Sequence, residues 1–251
     1  MRYIIMFALL SQSFFSFSQT KTKKKTTTKK TSVQTLVKSV ATSVPTASLS
    51  EADISAGLKE ALSLGANNAS TQLNALDGFN KNLQIRIPFP PDVVKMADKL
   101  KEFGYGKEVD DFETTLNRAA EQASKDAAPI FVNAISQMNI TDAVNILKEP
   151  DNSATNYLQS KTGDALFTTF SPTIKNALGN SLATSKWTEL TTLYNKLPFV
   201  THLDTDLVKY TTNKALSGLF FVLAGEEKKI RDNPAARTTD ILKKVFGSVS
   251  K

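Results

Sequence analysis

The side chains with the types and spacing to do chemistry fall in a few short stretches. Asn117, Arg118 and Glu121 put a guanidinium and a carboxylate three residues apart, so on a helix they share one face. They read either as an anion clamp with an acid beside it or as a helix-packing salt bridge. Glu226 and Glu227 are adjacent carboxylates, followed by Lys228, Lys229 and Arg231. Burial of one would make an acid/base pair. Adjacent helical positions point about 100° apart, however, so a solvated surface of i,i+4 charges is the competing reading. In Asn233-Pro234-Ala235-Ala236-Arg237-Thr238-Thr239, Asn233 and Pro234 suit an N-cap and first helical position whose free backbone N–H groups accept an anion. Arg231 and Arg237 flank that motif, and the other reading is a capped turn whose arginines brace the fold. Arg86 lies between Ile85 and Ile87 in a proline-rich stretch, where it points into a cleft or outward.

Much chemistry is excluded by what is missing. The chain has no cysteine and one histidine, His202, which removes thiol nucleophiles, disulfides, sulfur-ligated metals and paired-histidine metal sites. No Gly-rich phosphate loop, Gly-x-Ser-x-Gly elbow or Asp-x-Asp-x-Asp-Gly calcium loop is present. No metal and no cofactor is therefore expected. An enzyme built from this sequence would be a hydrolase with Glu121, Glu226 or Glu227 as general acid or base. The preferred expectation is a non-enzymatic binding or interaction module with an arginine-lined, anion-accepting surface. Arg86, Asn117, Arg118, Glu121, Glu226, Arg231 and Arg237 are its candidate residues. The expected partner is a small anionic ligand or an envelope protein.

The elements that must hold these residues are helices. Ser50 with Asp53 forms a capping-box pattern, and Ile54, Leu58, Ala61, Leu62, Ala69, Leu73 and Leu76 recur at helical spacing up to Asp77-Gly78. The stretch Ile85 to Pro91, with three prolines, cannot continue a helix and is expected to cross the surface as extended chain. Val94, Ala97, Leu100 and Phe103 mark a short helix stopped at Gly104. Val109, Phe112, Leu116, Ala119 and Ala123 give the cleanest stripe in the chain. Helices follow over Ile130–Met138 and Ala143–Leu147, another begins at Tyr157, and Ser171-Pro172 is expected to start a separate one running to Leu178. Trp187, Leu190, Leu193, Tyr194 and Leu197 line the next, closed by Pro198. The run Leu219–Ala224 is apolar on all sides and is expected to be the central, fully buried helix. Ile241, Leu242, Val245 and Phe246 form the last, stopped at Gly247. The expected fold class is all-α, a single compact multi-helix bundle-like domain over residues 48–248.

The net charge of +7 is misleading until it is located. Arg2, Lys21, Lys23, Lys24, Lys25, Lys29 and Lys30 precede residue 31 and no acid does, leaving 24 basic residues against 24 acids in the remainder. The body is charge-neutral, so no specific nucleic-acid binding is expected. Residues 1–18 combine a cationic start, an apolar run and Ser16 and Ser18 before Gln19, the layout of a secretory signal peptide. Residues 19–47, rich in Lys and Thr, read as a disordered basic leader. The leader is either a weak tether to anionic surfaces or a solvated linker. The expected location is exported, periplasmic or outer-envelope associated, with no transmembrane span in the mature chain.

Several segments then occur in a telling order: SEADISAGLKEAL at 50–62, LDGF at 76–79, IRIPFP at 85–90, NRAAE at 117–121, APIFVNAI at 128–135, NKLPFV at 195–200, KALSGLF at 214–220 and NPAARTTDILKKVFG at 233–247. Together they resemble the bacterial family catalogued as domain of unknown function 4197, over nearly all of residues 50–247. The resemblance implies an exported, mainly helical bacterial protein, usually of Gram-negative organisms. It implies no activity.

Overall fold

The computed structural model describes residues 49–196, 198, 200, 202 and 206–248. The signal-like segment 1–18 and the leader 19–47 lie outside them. The described chain forms helices α1 (Glu51–Asn74), α2 (Pro91–Glu102), α3 (Gly106–Ser124), α4 (Ala127–Ser136), α5 (Ile140–Lys148), α6 (Ser153–Gly179), α7 (Leu182–Tyr194), α8 (Leu207–Asp232) and α9 (Asp240–Ser248), with a 3-10 turn at Pro234–Ala236. There is no strand among the described residues, and none of their helices is long and apolar enough to cross a membrane.

The long helices α1, α3, α6 and α8 pack side by side around the core, α8 touching the other three. Each offers a stripe at three- and four-residue spacing: Leu58, Leu62 and Leu73; Phe112 and Leu116; Leu158, Leu166, Phe170 and Ile174; Leu219 and Leu223, all buried. Helices α4, α5 and α9 cover α1, while α2 and α7 lie on α3. The Ser50 capping box forms as the sequence predicts: Ser50 Oγ accepts from the Asp53 N–H, and the Asp53 carboxylate accepts from the Ser50 N–H at 3.2 Å. Gly218 lets Phe79 approach α8 closely, because a Cβ there would lie 2.6 Å from Cε1 of Phe79.

The structure corrects several expectations. Pro172 does not open a helix but lies inside α6. An interior proline costs a helix about 3 kcal/mol, yet Leu166, Phe170, Ile174 and Leu178 form one unbroken buried stripe across it, so packing outweighs the missing N–H. Helix α8 is not buried all round, since Phe221 is 49% exposed. The apolar run hides the fact that Phe221 shares a face with the exposed Lys214, Ser217, Gly225, Lys228 and Asp232. The 85–91 stretch is not a surface crossing. Ile85, Ile87 and Phe89 are buried while Arg86 and Pro88 are exposed, the period-two alternation of extended chain laid against a core. Helix α1 ends at Asn74, ahead of the Asp77-Gly78 stop read from sequence, and Gly247 falls inside α9. On α2 the buried positions are Val93, Met96 and Ala97, with Val94 turned outward; on α7 only Trp187 and Leu190 are buried.

Candidate binding site

The sequence-predicted residues assemble into separate networks, beginning with α3. Asn117, fully buried, turns its carboxamide onto the extended stretch: Oδ1 accepts from the Ile87 N–H at 2.8 Å and Nδ2 donates to the Ile87 carbonyl at 2.9 Å. That is the pairing a neighbouring β-strand would supply, made here by one side chain. Nδ2 also donates to the Glu113 carbonyl at 2.9 Å. One turn on, Glu121 accepts from the backbone N–H groups of Phe79 and Asn80, both at 3.1 Å. Arg118 bridges its two acids, donating from Nη1 to Glu121 at 2.7 Å and from Nη2 to Asp77 at 2.6 Å. Asp77 holds a positive φ of 69°, so the ion pair fixes a turn conformation that few residues adopt. Hydrogen bonds from Lys81 and then Arg118 lower the Asp77 carboxyl from 3.8 to about 2. Burial pushes the Arg118 guanidinium down, but its bonds to Glu121 and Asp77 outweigh that and raise it. Arg86 is exposed and reaches Glu113 at 3.3 Å. All of these side chains staple residues 77–87 to α3.

On α8 the two adjacent glutamates diverge, as helical geometry requires. Glu226 faces α1, accepting from Asn68 Nδ2 at 3.0 Å and pairing with Lys229. Glu227 faces α6 and accepts from the N–H groups of Ala154 and Thr155 at 3.2 and 2.9 Å and from the Thr155 hydroxyl at 2.8 Å. Asn152, at the N-cap position of α6, has a positive φ and makes no side-chain cap. Glu227 thus caps α6 from another helix, putting a carboxylate at the positive end of the dipole.

The arginines do the complementary job. Arg231 pairs with Glu227 at 2.8 Å and donates to the Ile146 carbonyl at 3.0 Å, at the end of α5. Arg237, only 5% exposed, donates from Nε to the Ile230 carbonyl at 3.0 Å and from Nη2 to the Arg231 carbonyl at 2.7 Å. Both guanidiniums close helix C-termini, where orphan carbonyls concentrate. Asn233 caps only the short 3-10 turn, and its Oδ1 accepts from the Ala235 N–H at 3.0 Å.

Glu121, Glu226 and Glu227 therefore belong to three different networks, each accepting hydrogen bonds from groups it holds in place. The closed space beside Glu227 and Arg231 is about 10 Å³, room for no more than one water. Among the described residues no three His, Cys, Asp or Glu side chains cluster as metal ligands would. His202 is exposed.

The roomy concavity lies elsewhere. A groove of about 770 Å³ runs between the end of α2 and the end of α7, lined by Leu100, Phe103, Tyr105, Leu190, Leu193, Tyr194 and Val200, with Lys95, Asp98, Lys99 and Glu102 on its rim. Phe103 is 74% and Leu193 54% exposed. Gly104, at φ +91° with nothing near its missing Cβ, lets the chain turn so that Phe103 and Tyr105 sit on either side. Helix α7 is seated on the core by Trp187, which stacks on Phe112 of α3 with centroids 4.6 Å apart and planes 8° apart, and on Phe89 at 4.9 Å. Sequence reasoning missed this feature because it counted Phe103 and Leu193 as core stripe. The available signal was two aromatics alternating with Gly104 and Gly106 at a helix end.

No curated protein and no solved structure matches the chain. Matched from just before the Ser50 cap to the last turn of α9, over residues 48–247, the chain belongs to the family described as Protein of unknown function (DUF4197).

Proposed function

We propose that this is an exported, non-enzymatic binding protein of the bacterial envelope, periplasmic or outer-envelope associated. Its ligand is an amphipathic small molecule held in the groove between α2 and α7. The observation that carries this reading is the groove itself: its volume of about 770 Å³ falls within the roughly 300–1,000 Å³ of small-molecule sites, and its lining is mainly apolar and aromatic with the exposed Lys95, Asp98, Lys99 and Glu102 beside it. The ligand's apolar body lies against Leu100, Phe103, Leu190 and Leu193. Its polar end meets a rim of mixed sign, where Lys99 and Glu102 already satisfy each other at 2.7 Å. The anion-accepting role read from the arginines moves to second place, because Arg118, Arg231 and Arg237 are all engaged with carboxylates or carbonyls. Export is supported by the signal-like pattern of residues 1–18, and the basic leader adds attraction to anionic surfaces of ~1 kcal/mol per lysine.

Titration with N-phenyl-1-naphthylamine tests the reading. Saturable, blue-shifted emission that dodecanoate displaces is expected, and Phe103→Glu or Leu193→Glu should weaken it at least tenfold without unfolding the chain. No saturable binding, or variants that bind like the parent, would overturn the groove as the site.

A further inference from the structure

A second concavity, independent of the apolar groove, has the opposite chemistry. It measures about 430 Å³ and lies where one face of α3 meets the end of α6 and the start of α7, lined by Thr115, Arg118, Gln122, Asn176, Asn180 and Ser181 over a floor of Ala119 and Ala177. The two alanines leave the space open. Gln122, Asn176 and Asn180 are exposed, and no carboxamide of the three has a hydrogen-bond partner among the described residues. Thr115 and Ser181 bring two hydroxyls whose oxygens are 3.4 Å apart. Carboxamides and hydroxyls both donate and accept.

The charge balance decides what such a lining takes. Arg118 is the one ionised group among the lining residues, and its terminal nitrogens already contact Glu121 and Asp77 at 2.7 and 2.6 Å. Lys81 pairs with the same Asp77 at 2.8 Å, so the cluster holds two cations and two carboxylates. It offers the groove spare N–H donors without net positive charge, and an anion entering it gains little over water. Hydroxyl groups, each donor and acceptor at once, match the carboxamides without needing a countercharge. We infer that the groove between α3, α6 and α7 is a binding site for a neutral polyhydroxylated ligand, a saccharide unit. Arg118, Gln122, Asn176 and Asn180 make the contacts.

Isothermal titration of the full chain with maltotriose, chitotriose and trigalacturonate tests this. At least one neutral trisaccharide should bind one-to-one, with trigalacturonate binding no more tightly. The Gln122→Ala/Asn180→Ala double variant alters exposed side chains and should weaken binding at least tenfold with an unchanged thermal midpoint. Ala177→Leu, which fills the floor and leaves every polar group in place, should do the same. The assignment is overturned by the absence of binding with both neutral probes, by tighter binding of trigalacturonate, or by variants that bind like the parent.

Discussion

The α3 face that carries Asn117, Arg118 and Glu121 and the margin between α2 and α7 are near neighbours built on opposite terms. On the first, the three polar side chains of α3 are matched: Asn117 saturates Ile87, Glu121 takes two backbone N–H groups, and Arg118 bridges two acids. On the second, large apolar side chains line an open groove, and Trp187 and Leu190 are the buried residues of α7. The difference teaches that distinctive polar motifs need not mark a reactive site. Here they mark the places where a helical fold must handle backbone that its helices leave unsatisfied: an extended stretch, one helix N-terminus and two helix C-termini. The proposed binding capacity lies where satisfaction is incomplete.

That contrast breaks most visibly at Glu227. Glu227→Ala uncaps α6 and leaves Arg231, whose side chain is 11% exposed, without its counter-ion. A loss of about 3–5 kcal/mol in urea unfolding is expected, with dye binding unchanged in whatever remains folded. Asn117→Leu keeps the branched side-chain outline but orphans the Ile87 N–H and carbonyl, and should cost about 3 kcal/mol at roughly 1–3 per buried group. Gly218→Ala drives a methyl into Phe79, and overpacking of about 1–3 kcal/mol should appear as a lowered thermal midpoint.

The Asp77 staple sharpens the comparison through pH. Its carboxyl is lowered from 3.8 to about 2 in the folded chain, so the unfolded chain binds its proton first as pH falls. Its contribution is whole above the unfolded value and disappears as pH drops through the folded one. Asp77→Asn should therefore melt below the parent at neutral pH, and the gap should close between about pH 4 and pH 2. The smallest stability effects belong to the groove: Phe103→Glu and Leu193→Glu should stay within about 0.5 kcal/mol of the parent, as surface changes do, while weakening dye binding at least tenfold. A groove variant that unfolds the protein, or an Asn117 variant that is silent, would erase the distinction.

The fold was largely legible in the sequence because apolar spacing reports directly on which helix face is buried. Phe112, Leu116 and Ala119 are core as the stripe predicts, and the Ser50–Asp53 cap is local enough to read. What escaped was set by distant partners. Nothing near Arg231 reveals that it closes the last turn of α5 at the Ile146 carbonyl, 85 residues away. Pro172 carries a local stop signal that only the packing of both halves of α6 overrides. The groove was illegible for a related reason. It joins residues 95–105 to Leu190, Leu193, Tyr194 and Val200, and periodicity cannot tell an apolar side chain facing the core from one facing an open groove.

The most direct test is methyl NMR of the Ile-, Leu- and Val-labelled chain titrated with dodecanoate. The account predicts saturable shifts at Leu100, Leu190, Leu193 and Val200, with Ile87, Ile146 and Leu158 unmoved. Shifts centred on Ile87 or Leu158, or none that saturate, would contradict it and return the function to the charged networks.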